Sequence, residues 1–172
     1  MSKEIIQSGV ALRLPPRSNN RVSRYGLLIV WAVLIFIGSS DLLSASHTGA
    51  FIVRPLHWLL PNASEPTIAS IHFILRKAGH FTEYAILALL AARAFRTSSN
   101  QILRERWFWI SLILVIMYSL SDEFHQSFVP TRTASIYDSM IDTVGGLTML
   151  VLLEIRWRVS TASGSDRIKA RR

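Results

Sequence analysis

The sequence predicts an all-α integral membrane protein, a bundle of four transmembrane helices with its N- and C-termini in the cytoplasm. Two observations predict this fold. Half of the 172 residues are hydrophobic and only 17% are charged, whereas charged residues make up about a quarter of a soluble domain. Four apolar runs follow one another, and Lys and Arg concentrate in alternate connections between them. The length fits one domain and leaves no room for a separate soluble catalytic module.

The helices are expected at residues 25–43, 71–95, 107–126 and 136–155. The first contains the uncharged run from Tyr25 to Ser40 and spans a bilayer if Asp41 lies at the lipid boundary. The second is cleanly apolar only from Tyr84 to Ala92. The third is rich in β-branched and aromatic residues but lacks the turn signals that would divide it into strands. The fourth has the length of one span and carries Asp138 and Asp142 in its first two turns.

Two other interpretations of these runs stay open. Three runs have short uncharged stretches, so a soluble protein with buried core helices is one alternative. The other is a cleaved signal peptide over residues 21–46, ending in the small residues Ser44-Ala45-Ser46. The charge distribution and the three later runs favour a membrane bundle that keeps its first helix.

The basic residues determine the expected orientation. Of the 19 Lys and Arg residues, fifteen lie before the first helix, around the second connection and after the fourth helix, and four lie elsewhere. The positive-inside rule places the fifteen in the cytoplasm. We therefore divide the chain into a flexible basic tail at 1–20, a membrane domain at 21–158 and a flexible basic tail at 159–172. These positions account for the net charge of +8 without a nucleic-acid partner, and the lack of cysteine excludes thiolate nucleophiles.

The long first connection predicts a short interfacial helix over residues 51–60. Trp58 would anchor it at the membrane surface, and Pro61 would end it.

Ionisable residues enter the second helix on one face. Lys77, His80 and Tyr84 follow at helical spacing, and Glu83 lies beside this stripe. Charged groups at membrane depth cost several kcal/mol unless they are paired or hydrated, so the stripe should face the bundle interior or a wet cavity.

The third and fourth helices carry matching polar groups. Asp122, His125 and Gln126 share a face at the end of the third helix, before Pro130 stops it.

Ser135 is placed to cap the fourth helix. Asp138 follows three residues later, in the first turn, where the helix dipole would favour its carboxylate. Asp142 lies one turn deeper, on the same helix face as Gly146, where a small residue lets helices approach closely. Its carboxylate must find a hydrogen-bond donor there.

These residues form three ordered motifs, and together they resemble the VanZ-like family of bacterial membrane proteins. The motifs are Lys77-x-x-His80-x-x-Glu83-Tyr84, Ser121-Asp122-Glu123-x-His125-Gln126-x-Phe128-x-Pro130-x-Arg132 and Asp138-x-x-x-Asp142-x-x-Gly145-Gly146. The resemblance covers residues 76–153 and, more loosely, the first helix; Thr131 stands where the family usually has Gly. It implies a place in the bacterial cytoplasmic (inner) membrane, a role in the cell envelope and a link to resistance to the glycopeptide teicoplanin. It implies no particular reaction.

The candidate residues therefore support more than one function. The first hypothesis is an extracytoplasmic pocket in which Lys77 and Arg132 bind the anionic group of an envelope lipid or peptidoglycan precursor. The second is a hydrolase or transferase acting on a lipid-linked envelope substrate by His and carboxylate acid-base or metal chemistry. The third is a structural salt-bridge cluster without a ligand, and an ion-coupled transporter ranks last. The catalytic candidates are His80, Glu83, Asp122, His125 and Asp142, and the ligand-binding candidates are Lys77, Tyr84, Glu123, Gln126, Arg132 and Asp138.

The sequence leaves the cofactor, any metal and the oligomeric state open. In particular, Gly145 and Gly146 fit close helix packing within one chain or between two chains.

Overall fold

The computed structural model describes residues 21–40, 45–130 and 135–169, with side chains described for residues 24–40, 52–130 and 135–161. This part of the chain is all-helical and has no strand, as the sequence predicts. Its helices are α1 (Arg21–Ser39), α2 (Ala45–Leu59), α3 (Glu65–Arg96), α4 (Gln101–Glu105), α5 (Trp107–Gln126) and α6 (Ile136–Lys169).

The observed helix bounds follow the predicted ones, with differences at the ends. α5 has the predicted bounds, whereas α1 runs from Arg21 to Ser39 and so begins and ends four residues before the predicted 25–43; residues 41–44 lie outside the described chain. α3 begins six residues before the predicted start, because Ser64 precedes a glutamate and then Pro66 in the first turn, where proline is already in the helical conformation. α4 begins after Asn100, whose side-chain oxygen accepts from the backbone N–H groups of Ile102 and Leu103.

The end of α6 corrects the expected C-terminal tail. The helix continues past the predicted end at Ile155 as far as Lys169, so most of the segment 159–172 is helical. No proline interrupts this stretch, and Arg158 donates to the Glu154 carboxylate at 2.8 Å, one turn back along the same helix face. The expected N-terminal tail, residues 1–20, lies outside the described chain.

The four long helices alternate in direction, as side-chain contacts between them indicate. Lys77 contacts Asp138, and Arg96 lies 4.0 Å from the Trp157 ring, so α3 and α6 run in the same direction. Arg96 also lies 5.1 Å from the ring of Trp107, at the start of α5, so α5 runs against α3. α1 runs with α5, since Ala32 accepts from Tyr118 at one level and Ser39 donates to Asp122 further along both helices. α1 therefore starts, and α6 leaves the bundle, at the same end.

The bundle exposes many large apolar side chains, and it buries small and polar ones beside a core that includes Leu87 and Leu150. Ile29, Ile113 and Met140 are 60%, 59% and 59% exposed, whereas the buried face of α3 is rich in alanine. This distribution is typical of membrane bundles, where lipid is as apolar as the core and small residues let helix backbones approach. α5 and residues 136–161 of α6 are long and apolar enough to cross a membrane, and residues 24–39 of α1 form a shorter apolar helix. α3 does not meet this test because charged side chains interrupt it.

Two adjacent glycines bring α6 against both neighbouring core helices. A Cβ atom on Gly145 would overlap the backbone carbonyl of Phe81 in α3, and one on Gly146 would lie 2.6 Å from Val115 Cγ1 in α5. The pair therefore packs within one chain, which answers the question that the sequence left open.

α2 lies against α3 and includes the predicted interfacial helix. It ends at Leu59, and Trp58 is 82% exposed, as an anchor in a membrane interface would be.

Candidate functional site

A set of polar side chains is buried together at one end of the bundle, where α1 and α5 end and α6 begins. We call it the acid cluster, because it holds four carboxylates. Its members are Lys77, His80 and Tyr84 of α3, Asp122, Glu123 and Gln126 of α5, and Asp138 and Asp142 of α6. All eight are among the candidates that the sequence identifies, and seven of them are buried, with Lys77 at the edge.

Lys77 and Asp138 form an ion pair between α3 and α6. The Asp138 side chain is 4% exposed and that of Lys77 is 18% exposed, so the pair lies at the edge of the buried region. The ammonium also lies 5.1 Å from the centre of the Phe73 ring. Asp138 is therefore more than a residue that starts a helix: its carboxylate holds the lysine in place.

His80 and Asp142 face each other one turn deeper. Nδ1 of His80 lies 3.3 Å from Oδ1 of Asp142, and the aspartate side chain is completely buried. These two atoms are at ion-pair distance but lack the alignment of a hydrogen bond. Oδ2 of Asp142 also accepts no hydrogen bond from the described residues. Close helix packing at Gly145, three residues later, keeps this pair between α3 and α6.

Asp122 has two donors, one of which the sequence analysis missed. Its Oδ2 accepts from Ser39 Oγ at 2.8 Å and from Gln126 Nε2 at 3.0 Å. Ser39 is 5% exposed and lies at the last residue of α1. The only sequence signal for it is a hydroxyl at the C-terminal end of the first apolar run.

Several polar atoms of the cluster lack a hydrogen-bond partner among the described residues. They are Nδ1 of His80, Oδ1 of Asp122, Oε1 of Glu123, both oxygens of Asp142 and the hydroxyl of Tyr84. Glu123 uses its other oxygen to accept from the backbone N–H of Ser135 at 2.7 Å, which fixes the start of α6 against the end of α5. With four carboxylates against one lysine and one histidine, the described cluster carries an excess of acid that neighbouring groups must balance.

Three candidates are not members of the acid cluster as defined above. Glu83 is exposed, and its backbone carbonyl accepts from Trp31 Nε1 of α1 at 2.9 Å. His125 is half-buried and stacks on Phe36 of α1, with ring centroids 4.4 Å apart. Arg132 lies outside the described residues, as do Thr131 and Thr133.

The geometry supports neither the metal chemistry expected above nor a nucleophilic role for Ser121 or Ser127. Among the described residues, no group of three His, Asp or Glu side chains is arranged to hold a metal ion. The hydroxyls of Ser121 and Ser127 donate to the backbone carbonyls of Tyr118 and Phe124 and are not shown contacting a histidine.

A groove on the bundle surface leads to the acid cluster. It lies between α3 and α6 and has a volume of about 440 Å³. Its lining is mostly apolar, and Lys77 is the charged residue that contributes to it. Phe73 and Phe81 of α3 and Ile141 of α6 form its walls. The lysine therefore joins an apolar surface groove to the buried carboxylates.

Comparison with known proteins identifies the family. A family model described as VanZ/LLP1 matches residues 25–157, well over half of the chain. The chain belongs to the VanZ/LLP1 family. No curated protein and no solved structure matches the chain significantly.

The match confirms the resemblance that the three motifs indicate. It includes the whole acid cluster and all of α3, α5 and the apolar part of α6. Together with the apolar helices, membership in the VanZ/LLP1 family supports a membrane protein and argues against a soluble helical protein.

Proposed function

We propose that this VanZ/LLP1 protein crosses the bacterial cytoplasmic membrane four times, through α1, α3, α5 and α6, with both termini in the cytoplasm. The alternating helix directions and the excess of Lys and Arg at one end support this orientation. The acid cluster then faces the extracytoplasmic side. The protein has no cysteine, so single cysteines report topology directly. In intact cells, Gln101→Cys should resist an impermeant thiol reagent and Thr133→Cys should react; the reverse pattern would overturn the orientation.

At this outer end, the acid cluster binds the anionic group of an envelope lipid or peptidoglycan precursor. The observation that carries this proposal is the position of Lys77 between the apolar groove and the cluster. An ammonium group has three N–H donors, and Asp138 needs only one of them, so donors remain for an incoming phosphate or carboxylate. A hydrocarbon chain would lie against Phe73, Phe81 and Ile141, which are the walls of the groove. Arg132 would supply a second cation from the connection between α5 and α6.

This binding would protect cells against glycopeptides, as the family resemblance implies. Cells expressing the protein should tolerate more teicoplanin than cells with an empty vector. Lys77→Gln should lose this protection, while Lys77→Arg should keep most of it, because a guanidinium also donates to anions. Arg158→Gln is the matched control, since Arg158 is 77% exposed and its partner among the described residues is Glu154 of its own helix. Membrane abundance must be equal for all variants.

A direct assay separates binding from the resistance phenotype. Purified protein in detergent should gain thermal stability with a polyprenyl phosphate, and Lys77→Gln should reduce this gain. If Lys77→Gln keeps both the stabilisation and the protection at normal abundance, the binding proposal is wrong. If Lys77→Gln and Lys77→Arg both vanish from the membrane, the ion pair with Asp138 is structural, and the proposal fails in favour of a salt-bridge cluster.

One observation favours an enzyme as the second candidate. The contact of His80 Nδ1 with the buried Asp142 leaves Nε2 as the ring nitrogen for proton transfer to a lipid-linked substrate. Such a protein would hydrolyse a polyprenyl diphosphate: a water molecule attacks the terminal phosphorus, His80 accepts the proton of that water, and the bridging P–O bond breaks to give polyprenyl phosphate and inorganic phosphate. Turnover by the purified protein that disappears in His80→Gln and Asp142→Asn would support catalysis, and its absence in the unaltered protein would contradict it.

A further inference from the structure

A second pocket lies at the opposite end of the bundle from the acid cluster. It has a volume of about 610 Å³ and is bounded by the C-terminal part of α3, by α4, by the start of α5 and by α6. We call it the arginine pocket, because Arg93, Arg96 and Arg104 line it. None of the groups that form the acid cluster contributes to it.

Aromatic rings hold one of these arginines in place. The Arg96 guanidinium lies 4.0 Å from the centre of the Trp157 ring and 5.1 Å from that of Trp107. These cation-π contacts fix the group without neutralising its charge. Trp157 is 51% exposed, and tryptophan anchors helices at the boundary between lipid and water, so this ring marks the pocket as interfacial.

The charge of the three arginines is uncompensated within the described part of the chain. None of them forms an ion pair there, and the acidic neighbour Glu154 is already paired with Arg158. Arg104 contributes one weak hydrogen bond, to the Ser98 carbonyl at 3.4 Å. Three guanidinium groups beside the apolar side chains of Leu89 and Leu153 therefore leave N–H donors available to an anion from outside the protein.

We propose that the arginine pocket binds the phosphate group of an anionic membrane phospholipid. Guanidinium groups match phosphate oxygens with paired N–H donors, and basic pockets between membrane helices are suited to anionic headgroups. The acyl chains would lie along Leu89, Leu153 and the exposed Leu152. The site is separate from the acid cluster and does not depend on the ligand or the orientation proposed there.

Native mass spectrometry of the full chain, released from nanodiscs, tests this site. The nanodiscs contain equal amounts of phosphatidylglycerol and phosphatidylcholine. We expect the unaltered protein to retain phosphatidylglycerol preferentially. Neutralising one arginine near an anionic headgroup should lower this preference about fivefold, and Arg93→Gln with Arg104→Gln should nearly abolish it. Both of these side chains are exposed, so their replacement should leave the bundle intact.

Matched variants keep the experiment decisive. Arg93→Lys with Arg104→Lys retains the charge and should retain most of the preference, and Arg54→Gln, at an exposed position of α2 outside the pocket, should behave like the unaltered protein. An equal loss in Arg54→Gln, or no preference in the unaltered protein, would overturn the proposal. Free phosphate is the other source of the same chemistry. The lipid assignment would be overturned if the protein retained inorganic phosphate when released from nanodiscs of phosphatidylcholine alone and showed no preference for phosphatidylglycerol in the mixed nanodiscs.

Discussion

His80 and Asp142 face each other across the contact of α3 and α6, with 3.3 Å between Nδ1 and Oδ1, and both side chains are buried. The pair is the deepest ionic contact among the described residues of the acid cluster. Its partners come from helices that are separated in sequence by the whole of α4 and α5. The coupling energy between the two side chains therefore reports on the packing of α3 against α6.

Removal of His80 should destabilise the protein more than removal of both partners. His80→Gln leaves the buried Asp142 carboxyl without the ring nitrogen that faces it, so the free energy of unfolding should fall by about 1–3 kcal/mol. Adding Asp142→Asn should recover part of this loss, because no unpaired charge then remains. Reversible unfolding of the single and double variants in one detergent mixture measures the coupling.

The control for this cycle is the exposed pair of His57 and Glu65, whose side chains are 41% and 83% exposed. His57→Gln should change the free energy of unfolding by less than about 0.5 kcal/mol. Strictly additive effects of His80→Gln and Asp142→Asn would show that the buried pair does not interact energetically.

Ser39→Ala should weaken the attachment of α1 to α5. The Ser39 hydroxyl donates to Asp122 at 2.8 Å, and its loss leaves a buried carboxylate with one donor fewer, which costs about 1–3 kcal/mol. Ser40→Ala is the matched control, because that hydroxyl donates to the Ile37 carbonyl of its own helix. Equal thermal unfolding temperatures of the two variants would contradict the role of Ser39.

Gly145→Ala should separate α3 from α6. The added methyl group would overlap the Phe81 carbonyl, and backbone atoms cannot rotate away as a side chain can, so we expect a loss of about 1–3 kcal/mol. Gly146→Ala would meet the side chain of Val115 and should cost less. Gly79→Ala faces open space and should stabilise α3 by about 0.5–1 kcal/mol. Thermal unfolding of the three variants gives the order, and a Gly145→Ala protein as stable as Gly79→Ala would refute the close contact.

Much of the fold could be predicted from local sequence features. The length and apolar character of α5 identify it with the correct bounds, and helical spacing places Lys77, His80 and Tyr84 on one face. The same spacing does not exclude Glu83, which lies beside the stripe in sequence but is exposed on the helix. Rotating α3 about its own axis by less than half a turn would bury Glu83 instead of the stripe. Only the packing of the neighbouring helices fixes this rotation.

Sequence alone determined that the chain is helical, which segments are apolar, which end carries the acids and which carries the arginines. Hydropathy and helical periodicity are local properties, so they can be read without knowing any neighbour. Only the tertiary structure decided that Lys77 pairs with Asp138, 61 residues away, and that Ser39 reaches Asp122, 83 residues away. These partners depend on the order, depth and rotation of helices packed against one another, and the close approach at Gly145 and Gly146 sets that arrangement within one chain.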